Sequence, residues 1–199
     1  MFNEEKAIFR SPLKYKPTKS WHMIDRRSSW INLGYELFAH SGAVGIKVEA
    51  LAKAVGKSKS SFYHHFADVE LFIDELLQFH LQQAHCIAEK ERLAQCIDPE
   101  LIAILVEHKT DLLFNRQLRI GRDNKHFAET LEQSNRIVGQ TFVALWVRDL
   151  NLNLSQPQLE GLFELALENF YLQINPQNIN HPWLSEYFAH LKRIVARFA

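Results

Sequence analysis

The chain has 199 residues, of which 47% are hydrophobic and 23% are charged, a composition that excludes disordered and fibrous proteins. Only seven glycines and six prolines are present, which favours helices over a turn-rich β-sandwich. No run of 18 apolar residues occurs and the N-terminus lacks a signal-peptide pattern, so we expect no membrane span and a cytoplasmic location.

The net charge of zero hides an asymmetry between the two ends of the chain. Residues 1–66 contain eleven Lys/Arg and five Asp/Glu, a net charge of +6, whereas residues 67–199 contain twelve and eighteen, a net charge of −6. A basic surface can bind an anionic polymer such as nucleic acid. A chance distribution of solvated surface charge is the alternative reading.

The first twenty residues carry five cationic side chains and two prolines without a helical period. They are predicted to form a flexible basic arm, either a plain disordered terminus or a segment that contacts DNA phosphates. Beyond the arm, apolar residues recur at helical spacing between capping residues, glycines and prolines. Asp25 and Asp68 are good N-caps, and Gly42 is placed to end the first helix. The predicted helices cover residues 25–41, 48–55, 59–66, 68–94, 98–121, 124–149, 155–172 and 182–198.

The segment from Val48 to Phe66 has the plan of a helix-turn-helix. Gly56 supplies the residue that tolerates a positive φ in the turn. The start of the second helix is rich in lysine and serine, where backbone N–H groups already favour phosphate. In such units the N-terminal residues of the second helix approach base edges in the major groove.

Two runs of residues resemble the DNA-binding domain of the tetracycline-repressor (TetR) family: Leu37-Phe38-Ala39-x-x-Gly42, and Val48-x-x-Leu51-Ala52-x-x-x-Gly56-x-Ser58-x-x-Ser61-Phe62-Tyr63-His64-His65-Phe66. The resemblance spans about residues 24–73. It implies an all-α homodimer with an N-terminal three-helix helix-turn-helix domain and a C-terminal helical domain for ligand binding and dimerisation. A small molecule would release the protein from a double-stranded DNA operator. On this basis the domains are residues 1–20 (flexible basic arm), 21–67 (DNA binding) and 68–199 (ligand binding and dimerisation).

The leading hypothesis divides the predicted DNA-binding surface into two sets of contacts. Ser58, Ser60, Ser61 and His64 are expected at base edges. Phosphate contacts are expected from cationic side chains and one tyrosine, namely Lys47, Lys57, Lys59 and Tyr63.

The acidic C-terminal part offers aromatic residues for a ligand pocket, although such residues also commonly fill a core. The pocket candidates are Phe79, Phe114, Phe127, Phe142, Trp146 and Phe170. His80, His108 and His126 could supply polar contacts there, but a surface position is the expectation for each. The last two predicted helices carry wide apolar stripes that could pair with a second subunit as a four-helix bundle. The dimer candidates are Leu162, Phe163, Phe170, Tyr187, Leu191 and Val195.

Other chemistry has no motif in the sequence. The histidines and the two cysteines, Cys86 and Cys96, lack metal-ligand spacing, and no nucleophile elbow or phosphate-binding loop is present. We therefore expect no cofactor, no metal and no enzyme activity. The leading hypothesis is a ligand-responsive regulator, most simply a repressor of a palindromic operator. The alternative is a helical small-molecule carrier or enzyme whose front domain no longer binds DNA.

Overall fold

The computed structural model describes residues 19–150 and 155–195, and within these ranges the chain forms α-helices and no β-strand. Ala43–Gly45 form a short 3₁₀ turn and Ile97–Leu101 a π-type turn. None of the described helices is both long and apolar enough to cross a bilayer. The α-helices are α1 (Lys19–Ser41), α2 (Val48–Val55), α3 (Lys59–His65), α4 (Val69–Leu93), α5 (Ile102–Glu107), α6 (Lys109–Ile120), α7 (Lys125–Leu150), α8 (Gln156–Gln173) and α9 (His181–Val195).

Most predicted helix ends are confirmed because their local signals act as expected. Gly56 ends α2 in the left-handed conformation, at φ 69° and ψ 35°, which a residue with a Cβ rarely adopts. The Asp68 side chain caps α4 by accepting the Leu71 N–H at 2.8 Å. Ser155 begins α8 with the predicted capping box to Gln158.

Two predictions about helix bounds are wrong. The first helix begins at Lys19 rather than Asp25, so residues 19 and 20 belong to it and not to the arm, whose residues 1–18 lie outside the described part of the chain. The single helix predicted from Asp98 to Gly121 is divided at His108, where φ is −93° and ψ is 28°. The break allows α5 to pack against α9 while α6 packs against α1, which one straight helix could not do.

The core of the helix-turn-helix is continuous with the rest of the molecule. The Phe62 ring is fully buried and meets Trp30 edge-on at 5.5 Å and Phe72 of α4 at 5.2 Å. Gly34 allows α1 and α4 to approach closely, since a Cβ at this position would lie 2.3 Å from Phe72 Cζ. The position of α3 is therefore tied to that of α4.

Two parallel helix pairs form the body of the protein. The α4–α7 pair is marked by the contacts Asp74–His126, Glu91–Thr141 and Ala94–Arg148. The α1–α6 pair is marked by Tyr35–Asp111, with Phe38 and Phe114 stacked below it. Helices α8 and α9 cover the remaining side and enclose a cavity against α4, α5, α6 and α7.

Candidate DNA-binding face and ligand cavity

The predicted DNA-binding residues all lie at the N-cap of α2, in the turn before α3 or on α3 itself. We call this set the reading face. Seven of its side chains are exposed and the eighth, Ser61, is half-buried. The reading face comprises Lys47, Lys57, Ser58, Lys59, Ser60, Ser61, Tyr63 and His64.

Ser58 has a structural function at the start of α3. Its side-chain oxygen accepts the backbone N–H of Ser61 at 3.2 Å, which satisfies one of the unpaired donors at the helix N-terminus. Ser60 is exposed on the same turn. The two serines thus differ in their available hydrogen-bonding groups, because the Ser58 oxygen already accepts a hydrogen bond within the protein.

Lys59 is engaged by a carboxylate of the neighbouring helix. Its Nζ donates to Glu49 Oε1 at 2.8 Å, and both side chains are exposed. The hydrogen bond and the charge of Glu49 raise the pKa of Lys59 and keep it protonated. The same hydrogen bond lowers the pKa of Glu49. A phosphate that contacts Lys59 would therefore compete with Glu49.

Tyr63 is held in place by the buried ring next to it. Its side chain is 53% exposed, while its ring meets Phe62 edge-on at 5.4 Å. Arg27 connects the end of α3 to α4, since it lies over the Phe66 ring at 5.2 Å and pairs with Glu75 of α4. The reading face is thus a polar surface that lies on packed aromatic side chains.

The cavity in the C-terminal part is lined by six helices and is mainly apolar. Three of the six predicted pocket residues line it: Phe142, Trp146 and Phe170. The larger set of lining residues comes from α4, α5, α6, α7, α8 and α9 and includes Ala84, Ile87, Leu105, Leu112, Val138, Phe163, Leu167 and Phe188.

The other three predicted pocket residues lie elsewhere. Phe114 is stacked between Tyr35 and Phe38 at 4.4 and 4.2 Å, in the core between α1 and α6. Phe127 packs edge-on against Phe38. Phe79 contacts Tyr35 and borders a shallow surface depression between α1 and α4. Their helical spacing indicated burial but could not indicate which side of the helix faces the cavity.

Several polar residues of the cavity were missed or misplaced by sequence reasoning. His80 and Glu91, each 2% exposed, line it from α4, and Asp111 and Asn115 line it from α6. Burial lowers the pKa of His80 to about 4, against the opposing charge of Asp111. Burial raises the pKa of Glu91 to about 7, opposed by a hydrogen bond from Thr141.

The expected surface position of the histidines is wrong for two of the three. His80 and His108 are buried, whereas His126 is exposed and contacts Asp74. A signal for His80 and Glu91 was present in the sequence. Both share one face of α4 with the apolar residues Ala84 and Ile87, because the four positions follow helical spacing.

The predicted dimer residues are largely covered by their own chain. Phe170, Tyr187 and Val195 are buried, and Leu162, Phe163 and Leu191 are half-buried against the core. The Tyr187 hydroxyl donates to the Ala166 carbonyl at 3.0 Å. The apolar side chains that face outward are different ones: Leu165 and Leu172 of α8 are 72% and 79% exposed.

Among the described residues no cluster of His, Cys, Asp and Glu is arranged to hold a metal ion. Cys86 is exposed, Cys96 is half-buried, and both are free thiols.

Comparison with known proteins agrees with this architecture. Residues 31–75 match the model of the tetR family of bacterial regulatory proteins. The N-terminal helix-turn-helix segment of the chain is therefore of the TetR-family type. No match was found among curated proteins.

Solved structures of bacterial transcriptional regulators, among them TetR-family members, have a similar fold. The regulator PfmR from Thermus thermophilus is 17% identical, with a TM-score of 0.57 over 84% of this chain and 97% of its own. The ketosteroid transcriptional regulator KstR2 of Mycobacterium tuberculosis is 16% identical, with a TM-score of 0.58 over 85% and 94%. The matched TetR segment contains α2, the turn, α3 and the start of α4, which are the elements that carry the reading face.

Proposed function

We propose that this TetR-family regulator is a repressor that a small molecule releases from a palindromic operator. The observation that carries the proposal is the position of Tyr35. This α1 residue bonds to two residues that line the cavity, His80 of α4 and Asp111 of α6, each at 2.7 Å. The helix that supports the reading face is therefore one hydrogen bond away from the proposed effector site.

DNA binding by the reading face is supported by charge and exposure. Lys57 and Lys59 lie at the start of α3 and Lys47 lies at the N-cap of α2, and all three are exposed; backbone N–H groups at helix N-termini also favour phosphate. We infer that Lys47, Lys57, Lys59 and Tyr63 contact the backbone, and that Ser60, Ser61 and His64 approach base edges. For Ser58, the capping bond leaves its hydroxyl hydrogen as the donor that could reach DNA.

The release step requires that the effector prefers the conformation that does not fit DNA, since a ligand that binds both states equally shifts nothing. A ligand that repositions His80 would act on Tyr35 and hence on α1. It would also act along α4, whose Phe72 packs against Phe62 of the reading helix. Both routes end at α3, so a small movement at the cavity can change the spacing of two reading heads in a dimer.

We propose that α8 and α9 form the dimer interface, as four-helix packing of two subunits would. Their outward apolar residues include Leu165 and Leu172, which lie two turns apart on one side of α8, together with Ile194 of α9. In this arrangement residues 21–67 read DNA and residues 68–199 bind the effector and the second subunit.

Selection of bound fragments from genomic DNA, followed by anisotropy titration, tests the DNA-binding part. Lys59→Ala and Tyr63→Ala are each expected to weaken operator binding about tenfold, and the lysine change should also reduce the salt slope by about one. The matched control is Lys125→Ala, a change at an exposed lysine of α7, which should leave binding unchanged. Equal affinities for all four proteins would refute the assignment of the reading face.

A substitution at Glu49, the ion-pair partner of Lys59, should strengthen operator binding rather than weaken it. Glu49→Gln removes the carboxylate that competes for Lys59 and one negative charge beside the duplex. We expect this variant to bind the operator several-fold more tightly at low salt, with a difference that fades as salt screens it. Absence of both salt-dependent DNA affinity and a preferred fragment would instead favour a helical small-molecule carrier or enzyme whose front domain no longer binds DNA.

A further inference from the structure

A chain of hydrogen bonds runs from Lys90 near the surface to His80 at the cavity. Lys90 determines which atom donates and which accepts at each step. The Lys90 ammonium lies 2.9 Å from His108 Nε2 and can only donate, so this nitrogen accepts. Neutral His108 then carries its hydrogen on Nδ1, which lies 2.8 Å from Asp111 Oδ2. His108 therefore donates to Asp111, and the carboxylate acts as an acceptor.

The chain continues through Tyr35 to the cavity. The Tyr35 hydroxyl donates its one hydrogen to Asp111 Oδ1 at 2.7 Å, so its oxygen must accept from His80 Nδ1, also at 2.7 Å. Neutral His80 is left with a lone pair on Nε2. This atom is buried and has no hydrogen-bond partner among the described residues, and His80 lines the cavity.

A second acceptor of the same kind comes from α6. Asn115 Nδ2 donates to Ser134 Oγ at 3.1 Å, and that hydroxyl donates onward to the Leu131 carbonyl at 3.0 Å. Because the serine hydrogen is used, Asn115 must present its NH₂ group to Ser134. Its Oδ1 is then an acceptor, buried and without a partner in the described part of the chain.

The third acceptor lies farther along α4. Glu91 Oε2 is 2.7 Å from the Thr141 hydroxyl, which also lies 2.8 Å from the Val138 carbonyl, while Oε1 is buried and unpartnered within the described residues. Oε1 can accept a hydrogen bond when the group is ionised, and also when the proton sits on Oε2. The Trp146 indole Nε1 is the one cavity-lining donor among the buried unpartnered atoms of the described residues.

The charged side chains that line the cavity are all acidic, and the nearby Arg119 lies behind its wall, stacked on Tyr171 at 4.3 Å and paired with Glu168. The lining contains Glu91 and Asp111, and none of the described lining residues is a lysine or arginine. An anionic ligand would lose its hydration without gaining a countercharge. A cationic or neutral donor would satisfy acceptors that are otherwise costly to bury.

We propose that the cavity binds an apolar molecule with a protonated amine, with Glu91 as its counter-ion and with His80 Nε2 and Asn115 Oδ1 as acceptors for further donor groups. The inference rests on the proposed function only in taking this cavity as the effector site. It adds the chemical class of the effector and excludes carboxylates of the same shape.

A matched series of probes tests the proposal by calorimetry on the full chain: 4-phenylbutylamine, 4-phenylbutan-1-ol and 4-phenylbutyrate. They share one apolar body and differ in the head group. The amine should bind about tenfold more tightly than the alcohol, and the carboxylate should bind most weakly. A carboxylate that binds as tightly as the amine would overturn the proposal, as would failure of the amine to bind at millimolar concentration.

Glu91→Gln keeps the size of the side chain and removes its charge, so it should abolish the tenfold preference for amine over alcohol. The matched control is Glu89→Gln, the same change at an exposed glutamate on α4 that pairs with Arg92, and it should preserve the preference. Retention of the preference in Glu91→Gln, with its helical circular dichroism intact, would overturn the role of Glu91.

The DNA readout separates this inference from the proposed function. If the amine binds in a Glu91-dependent manner but leaves the operator complex intact, the effector class stands and ligand-induced release is refuted. If the carboxylate binds and releases DNA, ligand-induced release stands and the proposed effector class is refuted.

Discussion

Two buried residues of α4 respond to burial in opposite senses. Burial raises the pKa of Glu91 to about 7 and lowers the pKa of His80 to about 4, because both groups prefer their neutral form away from water. Folded Glu91 therefore binds a proton that the unfolded chain has lost, whereas folded His80 lacks one that the unfolded chain has gained. Their effects on stability oppose each other between about pH 4.5 and pH 6.5.

Glu91→Gln should separate the two opposing contributions when the free energy of unfolding is measured in urea at several pH values. For the parent, the Glu91 contribution reduces the free energy of unfolding as pH rises from its unfolded pKa towards 7, since ionised Glu91 is costly to bury. The stability of the variant relative to the parent should thus increase by about 2–3 kcal/mol between about pH 5 and pH 8. In the variant, the remaining His80 contribution should make stability fall on acidification below about pH 6.5. Glu89→Gln should follow the parent curve, and parallel parent and Glu91→Gln curves would contradict the burial effect.

The helices show how far local signals determine an element. For α2 and α3, the turn glycine, the serine cap and the short apolar pattern agree, and both elements form at the expected residues. For the segment from 98 to 121, the periodicity is helical throughout, yet the chain bends at His108. That bend places the His108 side chain between Lys90 and Asp111. Lys90 is 18 positions away in the sequence, so no local pattern could indicate this contact.

The capping role of Ser58 gives a prediction at the scale of α3. Ser58→Ala should lower the free energy of unfolding by about 1 kcal/mol because the Ser61 N–H loses its acceptor. Ser58→Asn should restore most of that loss. Ser60→Ala, at an exposed neighbour, should change stability by less than about 0.5 kcal/mol. Equal destabilisation by both alanine variants in thermal unfolding would show that the cap does not contribute.

At the scale of the whole molecule, the enclosing helices leave part of their apolar surface outside. In the single chain, Leu165 and Leu172 remain exposed on α8 after the other apolar side chains of that helix have packed inward. Two exposed leucines two turns apart on one helix face suit an interface with a second subunit.

The double variant Leu165→Glu, Leu172→Glu should change the mass in light scattering from dimer to monomer at micromolar concentration, because it places charge in the proposed interface. The same substitution at Leu93, an apolar residue of α4 that is 77% exposed, is the control and should remain dimeric. A parent protein that is monomeric at this concentration would refute the dimer proposal itself.

The sequence alone determined the helical class, the helix-turn-helix and the polar start of α3, because capping, glycine turns and 3.6-residue periodicity act over a few neighbouring residues. It could also indicate that Phe114 and Phe142 turn towards the interior, where Phe114 is buried and Phe142 is half-buried. Only the tertiary structure decided that Phe142 faces the cavity while Phe114 packs in the core between α1 and α6. The bonds of Tyr35 to His80 and Asp111 likewise join residues 45 and 76 positions apart, and such pairings depend on how helices pack rather than on any local pattern.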